Sequence, residues 1–206
     1  MSSWKSLVVL PLALALALPL TACSTGGDAQ EITPPDKPTP VETPSASPGA
    51  SDLSFTMPEE CATIVPRARL DAFAASGLVL LGGPDGKYGN DYLADATPEE
   101  QAGGISCIWG FADSEVSSVT ISVAPLSPAT RPDVVDSFSE QGLNEDVVDG
   151  AATFGVQGDK QLNPAVFNVL RAESWISVIE TIGGPVAYTE AVAIAGEIYS
   201  TVYREH

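Results

Sequence analysis

Apolar and polar positions alternate along much of the second half of the chain. Val119, Ile121 and Val123 are separated by Thr120 and Ser122, the period of two that gives a strand one buried face. Residues 105–111 form a second strand, and Asp113-Ser114-Glu115 supplies the polar connection of a hairpin between the two. Leu78-Val79-Leu80-Leu81 is a short apolar strand before Gly82-Gly83-Pro84. Residues 152–156, 165–170 and 175–182 predict three more strands, the last two joined by a turn over 171–174. Ile176, Val178 and Ile182 share a face with Glu180. That carboxyl must lie near the sheet edge or against a partner.

Elsewhere the spacing lengthens to three and four. Thr56 suits the cap of a short helix at 57 or 58, and Pro66 opens a helix with Leu70, Phe73 and Ala74 on one face, ended by Gly77. Pro132 starts another, carrying Val134, Val135 and Phe138 and closed by Gly142. After Gly183-Gly184-Pro185, the residues Ala187, Ala191, Ile194, Ile198 and Val202 recur on one helical face. Ala191, Ala195 and Gly196 are small enough to seat that helix closely on a sheet. The order is helix, three strands, helix, three strands, helix. Hairpin connections make the sheet antiparallel, so the fold class is α+β. Helices are expected on one face, with a two-fold pseudo-repeat of helix plus three strands and a C-terminal helix.

The first 57 residues carry no such alternation. Lys5 precedes an apolar run over 7–20 that Pro11 and Pro19 interrupt. A spanning helix needs roughly twenty apolar residues, and this run of about fourteen instead fits a secretory signal, with its positive start, apolar middle and small-residue end. Residues 24–57 hold Pro34, Pro35, Pro38, Pro40, Pro44 and Pro48 among Thr, Ser, Ala and acidic residues. Such a segment buries too little surface to offset its ordering entropy. It is expected to be a semi-extended tether with a ceiling on the order of 100 Å, at about 3.1 Å per residue. The organisation is thus a signal peptide over 1–22, a tether over 23–57 and a globular domain over 58–206.

Leu20-Thr21-Ala22-Cys23 resembles the lipobox of bacterial lipoproteins. The resemblance implies cleavage before Cys23 and a diacylglyceryl group on its thiol. Two acyl chains are enough for stable anchoring, so the expected location is the extracytoplasmic face of the cell membrane, held there by the lipid.

Charge and cysteine content fit export. The formal net charge is −18, and loss of Lys5 with the signal makes the exported chain more acidic still. An acidic surface repels nucleic-acid phosphates, which excludes nucleic acid as a partner class. With Cys23 committed to lipid, Cys61 and Cys107 remain, an even pair that predicts one disulfide in an oxidising compartment. Cys61-Ala62-Thr63-Ile64-Val65-Pro66 and the later Cys107-Ile108-Trp109 are similar to an actinobacterial lipoprotein family of unknown function. Its pattern is Asp-Pro-Cys, an apolar pair and Pro, then Cys-x-Trp; here Glu59-Glu60 stands in place of Asp-Pro, and Val65 where Thr is usual. That resemblance implies an envelope lipoprotein with a Cys61–Cys107 bridge, and no reaction.

Candidate chemistry is sparse. The one histidine, His206, is the last residue, a poor place for a catalytic base that a third group must orient. No metal-ligand spacing of His and Cys and no phosphate-binding glycine loop is present, so no cofactor is expected. The loop 82–92 is glycine-rich, and Asp85, Asn90, Asp91 and Asp95 offer oxygens for calcium, but Lys87 occupies a ligand's place and no Glu stands in the bidentate position. Tyr88 and Tyr92 could stack on a sugar or partner. Glu99-Glu100 is one of many acidic pairs, and Trp109 and Trp175 are expected in the core. The leading expectation is a non-catalytic binding or interaction module of the cell envelope, its partner an envelope protein or small ligand. A cell-wall hydrolase working through acids alone and an assembly factor are the rivals. Replacement Cys23→Ser should move the protein from the membrane fraction to the medium, or leave an uncut precursor. Membrane retention of a processed variant, followed by fractionation and mass measurement, would contradict the lipobox reading.

Overall fold

The computed structural model describes residues 53–114 and 116–205. The leader, Cys23, most of the tether and His206 lie outside the described residues. Nine strands and four helices follow one another as β1 (Leu53–Phe55), α1 (Arg67–Ala75), β2 (Leu78–Gly82), α2 (Pro98–Gln101), β3 (Ile105–Phe111), β4 (Ser117–Pro125), α3 (Arg131–Glu140), β5 (Asn144–Val148), β6 (Ala151–Val156), β7 (Ala165–Leu170), β8 (Ser174–Glu180), α4 (Pro185–Val202) and β9 (Tyr203–Glu205). Seven strands form one antiparallel sheet in the order β2-β3-β4-β8-β7-β6-β5. Two meanders, β2 to β4 and β5 to β8, meet where β4 pairs with β8.

The antiparallel sheet and the C-terminal helix agree with the sequence pattern. The placement of the helices does not follow it fully, because the sheet is covered on both faces. On one face, Cys107, Ile121, Val123, Ile176 and Val178 pack under Ala191, Ile194, Ala195, Ile198 and Val202 of α4 and Phe73 of α1. On the other, Ala124, Leu170, Trp175 and Phe154 pack under Phe138 of α3. The Phe138 ring lies 5.1 Å from Phe154 and 5.5 Å from Trp175, edge-on to the latter. The physical reason is visible in β3 and β8, whose residues are buried on both sides over most of their length. Strands of that kind need a cover above and below. Because α1 and α3 sit on opposite faces, and the second meander has four strands, the two halves are not a strict repeat.

Three further details depart from the pattern. Thr56 follows a strand rather than capping a helix: its backbone N–H donates to the Val202 carbonyl at 2.8 Å. There β1 pairs with β9, which ties Leu53–Phe55 to Tyr203–Glu205. Strand β5 is new, an exposed edge strand joined to β6 by Asp149 and Gly150 at φ of 49° and 73°. Two positive φ values are what a type I′ hairpin turn requires. Gly196 does not touch the sheet; a side chain there would meet open space.

Two cross-links brace the α4 face. Arg69 of α1 donates through Nε and Nη2 to the two carboxylate oxygens of Glu197 at 2.7 and 2.6 Å, and through Nη1 to Glu190, fastening α1 to α4. Fork-to-fork pairing of this kind is strong and directional. The Cys61–Cys107 disulfide ties the segment before α1 to the middle of β3, with both residues buried. Closing a loop of that length is worth about 2–5 kcal/mol when a native bridge is removed. The double variant Cys61→Ala, Cys107→Ala should lose stability of that order in denaturant unfolding, and an unchanged midpoint would contradict a structural role for the bridge.

Candidate functional site

The α3-covered face of the sheet is interrupted by a line of polar side chains. Cross-strand register places Ser106 opposite Ser122, Ser122 opposite Ser177, and Ser177 opposite Asn168. All four are buried. The hydroxyls of Ser106 and Ser122 are 2.8 Å apart, and Thr97 extends the chain to Ser106 at 2.7 Å. At the far end Trp175 donates its indole N–H to the Asn168 side-chain oxygen at 2.9 Å. Buried polar groups are costly unless bonded, and each is partnered: Ser106 and Ser122 with one another, Asn168 with Trp175, and Ser177 with the Glu99 carboxyl.

A cleft of about 400 Å³ opens over this row, between α2 and α3. Its floor includes Ser122, Ser177, Asn168 and Trp175, and Glu99 and Asp133 stand on its two walls. Glu99 is only 5% exposed. Helix α2 puts it there. Thr97 accepts from the Glu100 backbone N–H while the Glu100 carboxylate accepts from the Thr97 N–H, a capping box with Pro98 in the first turn. The one-turn helix is pressed onto β4 because Gly104 has no side chain. A Cβ there would come within 2.3 Å of the Val123 carbonyl and 2.7 Å of both Ala124 and the Glu99 carbonyl.

Burial pushes the Glu99 carboxyl up from its ordinary value of 4.5; its own backbone N–H and the Ser177 and Thr97 hydroxyls oppose that shift, and the nearby Glu100 charge adds to it. Desolvation dominates, as expected where a carboxyl leaves water without a cation beside it. A second carboxyl, Glu180, lies at the end of β8 on the opposite face, not on an edge strand and, among the described residues, in no ion pair. Burial and Glu190 raise it from 4.5 to about 7, against the pull of Arg69.

The residues singled out from sequence are scattered. Trp109 is buried on the α4 face, 5.2 Å from the Phe73 ring, beside the disulfide's β3 end. Trp175 is buried too, but as cleft floor, and Glu99 and Glu100 divide into a wall residue and a cap. In the loop 82–92, Lys87 donates to the Ala112 carbonyl at 3.1 Å and lies over the Tyr88 ring, and Tyr88 and Tyr92 face each other at 6.0 Å. Among the described residues, no three His, Cys, Asp or Glu are grouped to hold a metal. Nor is any described helix long and apolar enough to cross a membrane. Comparison with family models, with curated proteins and with solved structures gives no match.

The sequence pattern missed the cleft. Its signals were the Thr97-Pro98-Glu99-Glu100 capping box and the serines at alternate positions to the core residues of three strands. The raised carboxyls give a testable pH dependence. Both groups bind protons more tightly folded than unfolded, so their stabilising contribution is full below pH 4.5 and is lost as pH rises through the folded value, for Glu180 by about pH 7. Glu99→Gln should therefore melt higher than wild type at pH 8, with the difference closing below pH 4.5. An equal Tm at pH 8 would contradict the burial cost assigned to Glu99.

Proposed function

We propose that this protein is a lipid-anchored, extracytoplasmic binding module of the cell envelope, and that the cleft between α2 and α3 receives its ligand. The carrying observation is the polar row on the cleft floor with a buried carboxyl beside it. A sheet face that needed only to support a helix would be stabilised by apolar residues at those positions. Retaining five buried polar residues next to an open, mainly apolar cleft matches the make-up of small-molecule sites, a hydrophobic surround with a few placed polar groups. The lipobox and the long tether support an anchored location for the domain.

Asp133 on the opposite wall favours one second reading, an acid-only hydrolase with Glu99 as proton donor. Turnover of peptidoglycan fragments, abolished by Glu99→Gln in a folded protein, would establish it in place of the binding module.

The binding reading is tested at Trp175, whose indole N–H reports on the cleft floor. Addition of a small-molecule extract of the envelope to the ¹⁵N-labelled full chain should shift the Trp175 indole resonance. Ala102→Trp, a substitution at an exposed wall position, should block the cleft and abolish that shift. A shift unaffected by Ala102→Trp would place binding elsewhere.

A further inference from the structure

Resting on that reading of the cleft, we infer that its ligand has an apolar body and a protonated amine, with the ammonium seated against Glu99. Among the described residues, the charged side chains lining the cleft are both acidic, Glu99 and Asp133, and no Lys, Arg or His lines it. Facing Glu99 from its own helix is Glu100; from α3, Asp133; from the sheet, only the uncharged Thr120, Ser122, Asn168 and Ser177. An anionic ligand meets repulsion from each of these acids and from a chain of net charge −18. A neutral ligand gains hydrogen bonds but no charge partner. A cation gains both, and beside a carboxyl only 5% exposed the attraction is screened less than in open water. The walls contributed by Phe138, Val134, Val166 and Ile179 supply the contact for an apolar body.

The same geometry couples binding to a proton. In the free protein burial favours the neutral carboxyl of Glu99; an arriving ammonium favours the carboxylate. Where Glu99 starts protonated, Glu99–COOH and R–NH₃⁺ become Glu99–COO⁻···⁺H₃N–R, and the carboxyl proton goes to solvent. Affinity for an amine therefore rises with pH until Glu99 is ionised in the free protein, and affinity for an isosteric alcohol does not.

The experiment titrates the ¹⁵N-labelled full chain with 2-phenylethylammonium, 2-phenylethanol and 3-phenylpropanoate, read at the Trp175 indole N–H. The ammonium should bind about tenfold or more tighter than the alcohol, a difference of about 1.4 kcal/mol, and the carboxylate weakest. Lowering the pH from 8 to 5 should weaken the ammonium alone. Glu99→Gln should remove the ammonium's advantage and leave the alcohol's affinity in place, which also shows that the variant is folded. Equal binding of alcohol and ammonium, or an advantage that survives Glu99→Gln, overturns the ligand class while leaving the cleft as a binding site. If none of the three probes moves the Trp175 resonance, the ligand class and the cleft reading fall together.

Discussion

The antiparallel pairing of β4 with β8 is the constraint on which the rest of the molecule depends. It runs from Val119 opposite Glu180 to Pro125 opposite Ser174 and is the strand pairing that joins the two meanders into one sheet. Side chains alternate between faces along each strand, so one register decides both surfaces at once. Ile121 meets Val178 under α4, and Ser122 meets Ser177 under the cleft. A slip of one residue would drive serines beneath α4 and turn isoleucine and valine toward Glu99. The apolar contacts of one face thereby hold the polar row of the other in place.

That coupling explains how a buried carboxyl is tolerated. The α4 face supplies a continuous apolar core, reinforced by the Cys61–Cys107 bridge and by Arg69 clasping Glu197 and Glu190. The α3 face is smaller, built around Phe138 against Phe154 and Trp175. Stability gathered on one side offsets the cost of Glu99 and the serine row on the other. The cleft walls stand on elements with separate anchors: α2 on its capping box and Gly104, α3 on its Phe138 contact. The floor between them is fixed by the sheet.

Much of the fold was legible because it rests on local periodicity. The strands β2, β3, β4, β6, β7 and β8 and the helices α1, α3 and α4 each carry their own apolar pattern and stop signals. Strand β5 carries little: Asn144, Glu145 and Asp146 are polar, and an exposed edge needs no buried face. Its one signal was the Asp149-Gly150 turn. Strands β1 and β9 join residues far apart in the sequence, Leu53–Phe55 and Tyr203–Glu205, a pairing no local pattern encodes. The placement of α3 opposite α4 was hidden for the same reason, since the alternation at 119–123 was read as one buried face and the helices were expected together on one side of the sheet. Glu99 was passed over as one acid among many. What makes it distinctive is the approach of α2 to β4, and the pairing of β4 with β8 that brings Ser177 beside it.

The chain buries the Glu99 carboxyl beside the cleft, and that burial raises its affinity for a proton above that of an ordinary carboxylate. The direct measurement is a pH titration of the Glu99 side-chain carbonyl carbon by ¹³C NMR in the full-length protein. The expected midpoint lies above the ordinary 4.5 in the free protein and falls when an ammonium occupies the cleft. A Glu99 that titrates at about 4.5 and ignores the ammonium would contradict it.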